Sequence, residues 1–133
     1  MKSRLLFITR HQECSLRLSE ILHALPFVVE HAATLQQARA LLELNKYNAI
    51  VTEVALTDRT WLDVLHLIQE SPDELKVIVT DERADNHLRA EAMNFNAYDV
   101  LSKPLSEPEV RRILCNACTG ATSRLAAGSF YRT

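Results

Sequence analysis

The sequence predicts a single α/β domain, a five-stranded parallel sheet doubly wound between two layers of helices. Three observations carry this. Short apolar runs alternate with amphipathic stretches five times along the chain, the pattern of βαβ units. The first run, Leu5-Leu6-Phe7-Ile8, is apolar throughout, as a strand buried on both faces is. Prolines and capping residues fall between the runs and not inside them.

Leu5 to Ile8 is the first strand. A helix follows from about Glu13, with Leu16, Leu18, Ile21, Leu22 and Leu25 as its apolar side, until Pro26 stops it. Phe27-Val28-Val29 begins the second strand. Thr34 is the N-cap of a second helix containing Leu35, Ala38, Leu41 and Leu42 and ending near Asn45. The third strand is 48–52. Leu62, Val64, Leu65, Leu67 and Ile68 mark a third helix that ends before Ser71-Pro72. Val77-Ile78-Val79 is the fourth strand, 85–95 the fourth helix, and Val100-Leu101 the fifth strand. Ser106-Glu107-Pro108-Glu109 opens the last helix with a Ser cap, early acidic residues and a first-turn Pro. Residues 1–118 then form the domain. The Gly/Ala/Ser/Thr-rich stretch 119–133 is expected to be a linker or tail, with any output domain beyond Thr133 in a longer parent chain.

Composition narrows the function. A length of 133 residues suffices for one core without staples. A formal net charge of −2 without a dense basic run argues against nucleic-acid contact, and no apolar stretch has transmembrane length. Three cysteines do not make a disulfide framework, and a cytoplasmic setting is expected. The only glycines are Gly120 and Gly128, so the fold contains neither a Gly-rich phosphate loop nor a dinucleotide fingerprint. Cys115-x-x-Cys118 lies late in its helix, away from the N-terminus where a redox pair gains reactivity, and lacks a second ligand pair for a metal. The five histidines are isolated along the chain. No metal site, cofactor or enzymatic activity is expected.

Two segments carry a family resemblance. Phe95-Asn96-Ala97-Tyr98-Asp99 leading into Val100-Leu101-Ser102-Lys103-Pro104-Leu105 resembles the end of a response-regulator receiver domain, with its Lys-Pro pair after the last strand. The stretch from Ala49 to Asp58, followed by Leu62-Asp63-Val64-Leu65, resembles the family's third strand, phosphoacceptor loop and third helix. The resemblance covers about residues 4–118. It implies a flavodoxin-like three-layer sandwich with its functional crevice at the carboxyl ends of the strands.

It also implies a residue-by-residue test. A working receiver holds Mg²⁺ on an acidic pair after the first strand, and Thr9 and Arg10 stand there in this chain. The acceptor Asp after the third strand is replaced by Glu53, whose longer side chain misplaces the carboxylate for in-line transfer. Glu53 is either a stand-in for phospho-aspartate charge or a plain salt-bridge partner. After the fourth strand, an ungapped alignment puts Asp81 at the hydroxyl position, whereas a one-residue insertion puts Thr80 there. Lys103 is retained. Arg10, Glu53 and Lys103 are expected to converge within salt-bridge distance. Trp61 replaces a small residue and is a crevice cap, a contact or a packing residue.

The reading that follows is a degenerate receiver, a phosphorylation-independent interaction module in signal transduction or transcriptional control. A receiver still phosphorylated on Glu53 or Asp58 in a phosphorelay is the alternative. A flavodoxin-like small-molecule binder is a third reading, weakened by the missing glycines. Receivers commonly bind through the fourth helix, fifth strand and fifth helix. There Leu88, Arg89, Ala92, Tyr98, Arg111 and Arg112 are the candidates for contact with a protein partner or a second copy, homodimers included.

Overall fold

A computed structural model describes residues 2–69 and 75–119. Its strands are β1 (Ser3–Ile8), β2 (Phe27–Ala32), β3 (Ala49–Glu53), β4 (Lys76–Asp81) and β5 (Asp99–Ser102). They alternate with helices α1 (Gln12–Ile21), α2 (Leu35–Leu44), α3 (Trp61–Gln69), α4 (Asn86–Asn94) and α5 (Glu107–Cys118). All pairings are parallel, in the order β2-β1-β3-β4-β5. The chain reverses direction across the sheet between β1 and β3, which places a crevice at their carboxyl ends.

Alternate residues of each strand go to opposite faces. Leu6, Ile8, Ile50, Val77, Val79 and Val100 pack under α2, α3 and α4. Leu5, Phe7, Val51, Ile78 and Leu101 pack under α1 and α5. This two-sided burial explains why the central strands read as continuous apolar runs.

Several local expectations change. The first helix stops at Ile21, and residues 22–26 form turns before β2. Leu16, placed on its buried side from the sequence, is 57% exposed. A helix this short covers the sheet with one stripe, here Leu18 and Ile21, and Leu16 lies off it. Ser106 is the N-cap of α5, but its side chain makes no capping hydrogen bond; Glu109 Oε1 instead accepts from the amide of Ser102 at 3.0 Å. Thr34 does cap α2, accepting from Gln37 N at 3.1 Å. The turn before β5 has no glycine, and Asn96 takes its place at φ 63°, the left-handed region that Asn tolerates best after Gly. Of the expected tail 119–133, Thr119 is the C-cap of α5, and residues 120–133 lie outside the described residues, as do Ser71-Pro72.

Candidate functional site

The two-residue alternation places four polar side chains on one face at the carboxyl end of the sheet. Thr9 follows Phe7 by two, Glu53 follows Val51, Thr80 follows Ile78 and Lys103 follows Leu101, so all four continue the face covered by α1 and α5. Thr9 and Thr80 are fully buried and Glu53 is 8% exposed. A carboxylate at that depth needs partners, and it has them. Thr9 Oγ1 donates to Glu53 Oε1, and Lys103 Nζ donates to Glu53 Oε2 in an ion pair. The Lys103–Pro104 peptide bond is cis.

Thr9 is itself held on every side. Its hydroxyl accepts from His11 N at 3.0 Å and its amide donates to Ala32 O at 3.0 Å. Its carbonyl lies 2.7 Å from His31 Nε2, and because a carbonyl only accepts, Nε2 carries the proton.

The three-way cluster expected of Arg10, Glu53 and Lys103 forms without Arg10. That residue is exposed and has no ion-pair partner among the described residues. It follows Thr9 by one position, so the alternation that turns Thr9 inward carries Arg10 outward. Between the two hydroxyl-position candidates, strand register puts Thr80 directly opposite Glu53. Asp81 lies one residue further on, where its carboxylate accepts from Arg83 N at 3.1 Å and its carbonyl from Lys103 N at 3.1 Å. Thr80 Oγ1 is buried without a hydrogen-bond partner among the described residues.

Asp58 stands away from this cluster. Its Oδ1 accepts from Leu35 N at 3.1 Å and its Oδ2 from Gln36 N at 3.4 Å, so it caps the start of α2 from the loop after β3. Partial burial works against its charge, but these N–H donors, its own amide and nearby Arg59 outweigh it and hold the carboxyl below its ordinary value. Trp61 is a packing residue: it is 2% exposed, in the core under α2 to α4, with Phe95 edge-on at 6.2 Å.

The residues put forward for an interaction surface divide. Leu88 and Ala92 are buried, because the i, i+4 stripe of α4 is what packs on the sheet. Tyr98 is 7% exposed, packed on the α1/α5 side with Lys76 Nζ 5.9 Å from its ring centroid. None of these three offers a side chain to a partner. Arg112 is exposed, Arg89 is half-buried, and Arg111 is half-buried and paired with Glu107 at 2.7 Å.

Two neighbours of the site were not anticipated. Cys14, in the first turn of α1, lies beside Lys103; burial pushes its thiol up, and Lys103 pulls it partly back. His31 reaches the site from β2. Neither has a local sequence signal, since both arrive through packing of separate elements. All three cysteines are free, and no group of three or more His, Cys, Asp or Glu side chains is placed to hold a metal ion among the described residues. No described helix is long and apolar enough to cross a membrane.

The fold has many solved counterparts. A Chloroflexus aurantiacus J-10-fl protein described as a response regulator superposes with a TM-score of 0.82 at 18% identity, over 90% of this chain and 99% of its own. A response regulator from Thermotoga maritima gives 0.81 at 18%, over 90% and 99%. The signal receiver domain of an HD domain-containing protein from Pseudomonas fluorescens Pf-5 gives 0.80 at 23%, over 90% and 97%. No curated protein sequence matches the chain. The family model of the response regulator receiver domain matches residues 5–114. The chain therefore belongs to the response regulator receiver domain family, the signalling modules of two-component systems.

Proposed function

We propose that this receiver has lost phosphoryl acceptance and works as a phosphorylation-independent protein-interaction module in cytoplasmic signalling or transcriptional control. One observation carries the reading. The side chain at the acceptor position, Glu53, has both carboxylate oxygens engaged, one by Thr9 and one by Lys103. A nucleophile committed to two donors on a buried face is poorly placed to attack a phosphoryl donor.

The Mg²⁺ that the family implies does not fit these residues. Mg²⁺ needs oxygen ligands at near-octahedral positions. Here the acidic pair is replaced by a hydroxyl already bonded to Glu53 and by a guanidinium. The alternative acceptor, Asp58, has both oxygens spent on the first amides of α2. Of the proposed contact residues, Arg89, Arg111 and Arg112 remain for a protein partner or a second copy on the face of α4, β5 and α5.

Incubation with acetyl phosphate and Mg²⁺, and separately with beryllofluoride and Mg²⁺, tests the reading. Unchanged mass and unchanged Trp61 fluorescence are the expected results. A stoichiometric phosphoryl mass gain, or a Mg²⁺-dependent spectral change, would overturn it in favour of an active receiver.

A further inference from the structure

We propose that Cys115 and Cys118 are a redox-responsive pair: a low-molecular-weight disulfide such as oxidised glutathione converts them to an intramolecular disulfide, and that bond replaces the last turn of α5. The pair lies at the other end of the sheet from Glu53, and the proposal stands whether or not residue 53 accepts a phosphoryl group.

The two thiols are three residues apart in the last turn of α5, on one face of the helix, and both are free and half-buried. The third cysteine is out of reach. Cys14 lies beside Lys103, past the carboxyl end of the sheet, whereas Cys118 lies beside Ser3, the first residue of β1. The six residues of β1 separate those two ends by on the order of 16 Å. Cysteines bridge only when their Cα atoms are within about 7 Å.

On a helix, side chains three apart have Cβ atoms about 5–6 Å apart, and a disulfide needs about 3.5–4.5 Å. The bond and the intact turn therefore exclude one another. The backbone gives way most easily at Cys118, the last helical residue. Thr119 N then loses its 3.0 Å bond to Cys115 O, and Cys118 leaves the α1/α5 core against which it packs. Ile113 and Leu114, buried one turn earlier, hold the rest of the helix on the sheet.

The site sets the rate as well. Burial pushes the Cys118 thiol up, Ser3 draws it partly back, and Cys115 adds to the rise. No basic side chain in the last turn offsets the negative end of the helix dipole. Thiolate is disfavoured here, so the pair reacts slowly and once, unlike the reactive pairs at helix N-termini. Cys115, outside the buried cluster, attacks first. Its sulfur displaces one small thiolate, which takes up the proton Cys115 gave up, and a mixed disulfide remains on Cys115. Cys118 then attacks the Cys115 sulfur and expels the second small thiolate, which takes up the Cys118 proton. Two protein thiols are oxidised, and one small disulfide is reduced to two thiols.

Incubating the whole chain with oxidised glutathione at mildly alkaline pH, over hours, tests this. Two of the three free thiols should be lost while the chain stays monomeric on a non-reducing gel. The tryptic peptide Ile113–Arg124, which carries both cysteines, should be lighter by two hydrogens. Cys14→Ser should give the same peptide, and Cys115→Ser or Cys118→Ser should not. In the oxidised chain, amide exchange at Thr119 should speed by about tenfold, the consequence of one lost hydrogen bond. Amides of Glu53 and Lys103 should stay within roughly twofold of the reduced chain. Three thiols that stay free, a mixed disulfide on Cys115 that never closes, chains linked in pairs, or a bridge to Cys14 would each overturn the pairing. An intramolecular disulfide with unchanged exchange at Thr119 would overturn the loss of the turn.

Discussion

Replacing Lys103 with Met removes a cation from a pair whose side chains are only 13% and 10% exposed. At an effective dielectric of about 20, two unit charges about 4 Å apart attract by about 4 kcal/mol. Most of that gain is offset by the cost of taking both ions out of water, so the intact pair adds little net stability. Breaking it is another matter. Lys103→Met leaves Glu53 8% exposed with one hydroxyl donor, and an uncompensated buried charge costs about 3–5 kcal/mol. We expect about 3 kcal/mol at neutral pH, since the residual exposure lets water relieve part of the charge. That is a large part of the 5–15 kcal/mol typical of a domain. Glu53→Met combined with Lys103→Met should recover most of the loss, because the two methionines have no charge to strand. Urea unfolding followed by the fluorescence of Trp61, the one tryptophan and a buried one, measures both. A Lys103→Met protein within about 0.5 kcal/mol of wild type, or a double variant less stable than the single, would refute the reasoning.

Arg10→Ala should leave stability within about 0.5 kcal/mol of wild type in the same assay, since the side chain is exposed and unpaired among the described residues. Asp58→Asn should weaken the start of α2 by about 1 kcal/mol near neutral pH, the scale of a helix cap. Because folding depresses the Asp58 carboxyl, its contribution is complete above its unfolded value and is lost as pH falls through the lower folded one. Urea midpoints of wild type and variant should therefore differ at pH 6 and converge as the pH falls below the ordinary Asp range. Asn96→Ala should cost about 1 kcal/mol, because φ 63° strains a residue with a Cβ and no local hydrogen-bonding side chain, whereas Asn96→Gly should be tolerated; thermal unfolding distinguishes the two.

The order of the elements was legible because each rests on local chemistry. Leu5 to Ile8 announces a two-sided strand, Thr34 a helix start, and the run 77–79 a second central strand. The convergence of Glu53 and Lys103 was legible for a related reason, while Thr9 was expected only as a position of the replaced acidic pair beside Arg10. Each stands at or just past a strand end, and the family resemblance supplied which strand ends meet. Period-two alternation fixes which way such side chains turn once one neighbour is known to be buried. The same rule, applied one residue on, separates Arg10 from the pair it was expected to join.

Other features depended on the whole chain closing. Leu88 and Ala92 are apolar enough for a core and for a binding face, and only the docking of α4 on Val79 and Val100 makes them core. Tyr98 turned inward by the same kind of packing, against the α1/α5 side. Whether Thr80 or Asp81 faces Glu53 turned on the β3–β4 register, a property of two strands together. Asp58 caps a helix that begins 23 residues before it, and His31 reaches Thr9 from 22 residues away. What the amino-acid order determined by itself, then, is the set of strands and helices, because those follow from periodicity over a few neighbours. Which charges pair, which hydroxyl stays unbonded and which loop ties down which helix were decided by the tertiary structure, because a hydrogen bond forms only where chain closure brings donor and acceptor to about 3 Å.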